Sequence, residues 1–167
     1  INLSFAGSAT AAEVAAYVSG SVNSSGGTST TPTALSSDFI VNAQNTSAWA
    51  PAITGLNNGT FVSSWRYGSD VYAQLYHPNG AKLGAEFIVN TTTENVQRDP
   101  SISNLSDGGF VITWDGFTGD KIDSYGQIFD ATGNKLGPEF MVNNADQGHQ
   151  YSSNVTGLVS GGFVVTW

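Results

Sequence analysis

Asp107-Gly108-Gly109-Phe110-Val111-Ile112-Thr113-Trp114 decides the reading of this chain. Asp107-Gly108, with Ser106 before it, is turn chemistry, because glycine reaches the left-handed backbone conformations that tight turns need. The residues that follow read as a strand, with Phe110, Ile112 and Trp114 on one face and Val111 and Thr113 on the other. A strand with apolar groups on both faces predicts a sheet sandwiched between two other layers.

The stretch recurs. Gly59-Thr60-Phe61-Val62-Ser63-Ser64-Trp65 precedes it and Gly161-Gly162-Phe163-Val164-Val165-Thr166-Trp167 follows it, with tryptophans 49 and 53 residues apart. A second element keeps step: Phe39-Ile40-Val41-Asn42, Phe87-Ile88-Val89-Asn90 and Phe140-Met141-Val142-Asn143. A third occurs twice, as Gln74-Leu75-Tyr76 through Gly80-Ala81-Lys82-Leu83-Gly84 and as Gln127-Ile128-Phe129 through Gly133-Asn134-Lys135-Leu136-Gly137. Elements recurring in fixed order at this period mark a repeat architecture.

Each unit reads as four short antiparallel strands with turns between them. In the central unit these are Ser101 to Leu105, Gly109 to Trp114, Tyr125 to Asp130 and Glu139 to Asn143. In the preceding unit His77-Pro78-Asn79-Gly80 supplies the third turn, where Asn-Gly suits the positive φ angles of a tight hairpin. The expected fold is all-β, made of antiparallel four-stranded units resembling β-propeller blades, with a β-sandwich as the alternative. The repeats fall at about 38–85, 86–138 and 139–167, the last partial, within a domain from 37 to 167. So few blades do not close a ring of 4 to 8, which leads to the expectation that the units pair with copies of the chain or with adjacent repeats.

Residues 1–36 lack the repeat. Ile1 to Phe5 alternates like a strand, Thr10 to Val18 reads as a short helix, and Gly20 to Pro32 reads as a Ser/Gly/Thr-rich linker. Ile1, Leu3 and Phe5, with Phe163, Val165 and Trp167, are the expected assembly residues, through strand addition at open sheet edges.

Composition narrows the function classes. Thirteen acids against five bases give a net charge of -8, which disfavours nucleic acid and anionic membrane surfaces as partners. The apolar runs are far shorter than a membrane-spanning helix needs. Cysteine is absent, so thiolate metal sites and disulfides are excluded. Only 11% of the residues are charged, so the surface relies on Ser, Thr, Asn and Gly, as expected of an extracellular or cell-surface protein.

The quoted repeats, with Tyr125-Gly126-Gln127-Ile128-Phe129-Asp130-Ala131 and Glu139 to Asn143, resemble tandem units of large secreted bacterial surface proteins of the adhesin and hemolysin-type calcium-binding (RTX-like) kind. The stretch Ile1 to Ser25 is similar to the end of a cadherin-like module. The resemblance implies export and adhesion or matrix assembly, usually with calcium. It carries no single activity, and the chain lacks the Gly-Gly-x-Gly-x-Asp nonapeptides of RTX calcium rolls.

The site expected for calcium is the segment between Trp114 and Gln127, longer than its counterpart between Trp65 and Gln74, where Asp115, Asp120 and Asp123 offer carboxylate oxygens. A solvated acidic hairpin tip is the alternative. Asp107, Asp130 and Asp146 read as turn residues. His77 and His149 have no companion at metal or triad spacing, and no pair of acids is set up for acid–base work, so no catalytic role is expected. A carbohydrate-binding module is the alternative function, with Trp49, Tyr67, Tyr72 and Tyr151 as candidate platforms, and seven sequons (Asn2, Asn23, Asn45, Asn58, Asn90, Asn104 and Asn154) mark possible glycan attachment.

Overall fold

The computed structural model describes residues 13–14, 18–19, 33–34, 39–42, 47–144 and 148–167. They form strands β1 (Glu13–Val14), β2 (Val18–Ser19), β3 (Thr33–Ala34), β4 (Phe39–Ile40), β5 (Trp49–Gly55), β6 (Phe61–Tyr67) and β7 (Asp70–Tyr76). After them come β8 (Lys82–Ile88), β9 (Gln97–Asn104), β10 (Phe110–Thr118), β11 (Lys121–Phe129), β12 (Lys135–Met141), β13 (Asn154–Gly157) and β14 (Phe163–Thr166). There is no helix among the described residues, and the protein is all-β.

Two sheets are complete meanders. The first has the order β5-β6-β7-β8 and the second β12-β11-β10-β9, all pairs antiparallel, and β13-β14 repeats the first two strands of the pattern. Every first hairpin is closed by the same two backbone bonds. Leu56 N–H donates to Thr60 O and Gly59 N–H to Leu56 O, and Leu105 and Leu158 do the same with Gly108, Gly109, Gly161 and Gly162. In the third turn the glycine of Asn79-Gly80 has positive φ (84°), while Asn79 stays out of the left-handed region and accepts the Ala81 N–H.

Within the stretch Thr10 to Val18, read from sequence as a helix, the described residues Glu13, Val14 and Val18 lie in strands. Instead of a helix, β1 pairs with β4 (Val14 opposite Phe39) and β2 with β3 (Val18 opposite Ala34). Valine's branched Cβ suits an extended backbone, and a ladder to a partner strand overrides local helix propensity. The β1–β4 ladder joins Glu13–Val14 to Phe39–Ile40. Its register matches the repeat, since Ala73 stands opposite Phe87 and Gly126 opposite Phe140. The expected strand Ile1 to Phe5, with Ile1, Leu3 and Phe5, lies outside the described residues, as does the Gly20 to Pro32 linker.

Layering follows from the alternation read in the sequence. Phe110, Ile112 and Trp114, all fully buried, join Val62, Val71, Ala73 and Leu75 of the first sheet in one apolar layer. Val111, on the opposite face of β10, joins Leu105, Val155, Phe163 and Val165 in another. A third layer, with Val41, Trp65 and Tyr76, covers the other face of the first sheet.

The same ring contact ties the layers together. Phe87 at the end of β8 lies 5.5 Å from Phe129 in the next sheet, which stacks on Phe110 at 4.9 Å. One unit earlier, Phe39 lies 5.8 Å from Tyr76, which stacks on Phe61 at 4.9 Å. The third-turn glycine seats against the same phenylalanine: a Cβ on Gly80 would lie 2.9 Å from the Phe39 ring, and one on Gly133 would lie 3.2 Å from the Phe87 ring. These glycines supply both the left-handed turn and the room for the neighbouring ring. Removing a ring buried on both sides leaves a cavity in the joint. Phe129→Ala is expected to lower stability by about 3–5 kcal/mol, read as a fall in the midpoint of urea unfolding with its slope unchanged.

Candidate functional site

The acidic segment between Trp114 and Gln127 is two ladders of strand joined by a short turn. β10 and β11 pair without interruption from Phe110–Phe129 to Thr118–Lys121, leaving Gly119 and Asp120 at the tip. In the first sheet the ladder runs beyond Trp65–Tyr72 by two pairs, to Tyr67–Asp70, whereas beyond Trp114–Tyr125 it runs by four. The four extra residues that the sequence shows therefore lengthen a hairpin.

Lengthening separates the three carboxylates. Asp120 is exposed at the tip. Asp115 is buried, with its carboxylate accepting the Ser152 N–H at 2.8 Å and the Ser153 N–H at 3.4 Å. Asp123 is also buried, and its carboxylate accepts Asn143 Nδ2–H at 3.0 Å. Among the described residues no group of three His, Cys, Asp or Glu side chains is placed to hold a metal ion.

Asp123 belongs to a device that occurs twice. The Asn143 Oδ1 accepts the Ser124 N–H at 2.8 Å while its Nδ2 donates to Asp123. In the first unit Asn90 Oδ1 accepts the Val71 N–H at 2.8 Å and Nδ2 donates to Asp70 at 2.7 Å. The last residue of the Phe-x-Val-Asn element is thus a buried latch, tying the end of the fourth strand to the start of the third, where the ladder has run out of backbone partners. The sequence carried the signal in Asp70 and Asp123, which both lie 20 residues before that asparagine.

A second repeated device is the buried glutamine of the third strand. Gln74 Nε2 donates to Leu75 O (2.9 Å) and Leu83 O (3.1 Å), and Gln127 Nε2 donates to Ile128 O (3.0 Å) and Gly137 O (3.1 Å). Each bridges the place where the ladder slips, between Ala73 and Leu75 and between Gly126 and Ile128. A bulge leaves backbone carbonyls without ladder partners, and the amide satisfies them.

The units are also clasped by polar groups. Glu139 accepts the Thr91 N–H at 2.6 Å, and Lys135 Nζ reaches Thr91 Oγ1 at 3.0 Å, so the fourth strand of one unit holds the exit of the one before. Burial lowers the Lys135 pKa, against the pull of Glu139. First strands are bonded side by side as well: Val155 N–H donates to Ser101 Oγ at 3.1 Å and Gly157 N–H to Ser103 Oγ at 2.9 Å.

The other sequence candidates disperse. Asp107 and Asp130 cap their own turns, Asp130 bonding Thr132 and Asn134, and Asp146 lies outside the described residues. His77 is exposed in its turn, and His149 Nδ1 accepts the Ile122 N–H at 3.2 Å. Phe163 and Val165 pack onto the second sheet, while Val164 on the other face of β14 and Trp167 beyond it are half-exposed. Tyr67 and Tyr72 pack edge to face at 5.8 Å. Trp49 and Tyr151, each about half exposed, precede residues of positive φ (Ala50 and Ser152) at the same end of their sheets, and the Arg66 guanidinium lies 5.3 Å from the Trp49 ring centroid.

Comparison with family models, with curated proteins and with solved structures finds no match to this chain.

Asn143→Ala leaves the Ser124 N–H and the Asp123 carboxylate buried without their partner. A loss of about 1–3 kcal/mol is expected, measured by chemical denaturation. Asn143→Asp is expected to cost at least as much, because it sets a second carboxylate against Asp123.

Proposed function

We propose that this chain is an extracellular structural or adhesive repeat protein, built of blade-like β units that associate with further copies of the same unit through apolar sheet faces and free β edges, into a fibre or surface layer. The observation that carries this reading is the joint made twice from the same positions, Phe39 with Tyr76 and Gly80, and Phe87 with Phe129 and Gly133. A surface that packs the same way at each step along a chain is suited to packing against another copy. The low charge and the abundance of Ser, Thr and Asn support a place outside the cell. The polypeptide is expected to associate in a concentration-dependent manner in sedimentation velocity between micromolar and submillimolar concentrations. A monomer throughout that range would overturn the assembly reading.

A second reading, carbohydrate binding, is favoured by Trp49 and Tyr151, half-exposed rings at equivalent places in two repeats, Trp49 opening β5 and Tyr151 just ahead of β13. Aromatic faces of this kind stack on the apolar faces of sugars. On a glycan array, any ligand that this rim binds is expected to be lost in the W49A/Y151A double variant, and an array without hits removes the reading.

A further inference from the structure

β5 is bare on a face that its counterparts keep covered. Aligned on the turn leucines Leu56, Leu105 and Leu158, Pro51 and Ile53 match Pro100 and Ile102 in the second unit and Ser153 and Val155 in the third. Pro100 and Ser153 are buried where Pro51 is exposed, and Val155 is 4% exposed against 52% for Ile53. The cover is the first strand of the preceding unit, since β5 lies beside β9 and β9 beside β13. No such strand stands ahead of β5 among the described residues. What stands there is the other half of a unit. β1 and β4 pair with the register of third and fourth strands, Val14 opposite Phe39 as Ala73 is opposite Phe87, and Val41 and Asn42 are buried as Val89 and Asn90 are.

The opposite half lies beyond the second sheet. β13 and β14 are a first and a second strand, and among the described residues β14 is laddered only to β13, as β1 is only to β4. Their outer face is bare too. Val164 is 50% exposed, although Val62 and Val111 at the same position are 0% exposed. Thr166 is exposed where Ser64 and Thr113 are fully buried, and Asn154 and Thr156 are exposed beside it.

We propose that the β13–β14 hairpin of one copy docks against β5 and beside β1 of the next, so that two chains share one four-stranded unit head to tail; this rests on the assembly reading above. The described residues amount to about three units, fewer than the 4 to 8 of a closed ring, so the hairpin comes from a second copy. The internal joints supply the geometry. β14 pairs with β1 in the register that sets Ser64 opposite Ala73 and Thr113 opposite Gly126, which brings Thr166 opposite Val14. Thr156 and Gly55 occupy the positions of Ser103 and Gly157, where the serine Oγ accepts the glycine N–H at 2.9 Å.

Gly55 points to the same occupant independently. The preceding first strand closes on Gly157, where a Cβ would run into the Asn104 backbone oxygen. Gly55 has nothing within 4 Å of such a Cβ and does not have a positive φ, so nothing described in its own chain requires glycine there. A backbone seated on β5 as β9 is seated on β13 does require it. In the middle unit the position holds Asn104, whose Nδ2 donates to Asn57 Oδ1 at 3.2 Å across the joint.

A head-to-tail contact joins two different faces, which can be blocked separately. Gly55→Val fills the seat on β5, and Val164→Asp places a charge on the outer face of β14. In sedimentation velocity, at concentrations where the wild type associates, each variant alone is expected to stay a monomer. An equal mixture is expected to give a species of two chains and nothing larger, because each variant keeps the face that the other lacks. The chain has no cysteine, so Ile53→Cys and Asn154→Cys chains, at the positions of Val155 and Ser101, are expected to cross-link to each other on oxidation in preference to themselves. Undiminished association of either variant, or a mixture that stays monomeric, would overturn this interface and leave the assembly reading standing. A monomeric wild type would overturn both. Should a blocked variant fail to fold, the absence of the cross-link between Ile53→Cys and Asn154→Cys chains overturns the interface instead.

Discussion

Every other feature of this molecule depends on a phenylalanine at the end of one sheet packing against an aromatic ring of the next. Phe39 on Tyr76 and Phe87 on Phe129 are the same contact one unit apart, and in each the receiving ring stacks on the strand-two phenylalanine, Phe61 or Phe110. A two-stranded or four-stranded antiparallel sheet with apolar groups on both faces has no stability by itself in water. Its faces must be covered, and the ring contact fixes which face meets which and at what offset. The glycine turns at Gly80 and Gly133 exist to admit that ring. At the last joint described, Phe140 meets Phe163 directly at 6.1 Å.

Around this apolar joint the polar groups serve the backbone. Asn90 and Asn143 close the ends of the ladders, Gln74 and Gln127 fill the bulges, and Glu139 with Lys135 holds the connection between units. A chain with so few charged side chains satisfies its irregular backbone with amides and hydroxyls, which bond it without the desolvation cost of a buried ion. Asp115 and Asp123 are the exceptions, buried carboxylates that accept the Ser152 and Ser153 N–H groups and the Asn143 amide respectively.

Much of the fold was legible. The alternation of Phe110, Val111, Ile112, Thr113 and Trp114 gave the two-faced strand, and the recurrence of Phe-x-Val-Asn gave the unit, because both patterns express periodicities that the backbone imposes. What escaped was what depends on a partner distant in sequence. Glu13–Val14 and Val18–Ser19 belong to a stretch with local helix propensity but pair with strands beyond residue 32. The aspartates between Trp114 and Gln127 looked like ligands because a sequence does not show that Asp115 and Asp123 turn inward while Asp120 stays at the tip. Asn90 and Asn143 were visible as repeated residues, yet their role as buried latches required the register that sets them beside Asp70 and Asp123.

Ring packing between successive units holds the sheets together, and it has an energetic signature. A double-mutant cycle on Phe87→Ala and Phe129→Ala, followed by equilibrium unfolding, measures it directly. A coupling of about 0.5–1.5 kcal/mol between the two rings is the predicted result. Effects that add within about 0.3 kcal/mol would mean that the two sheets are joined by something other than this contact.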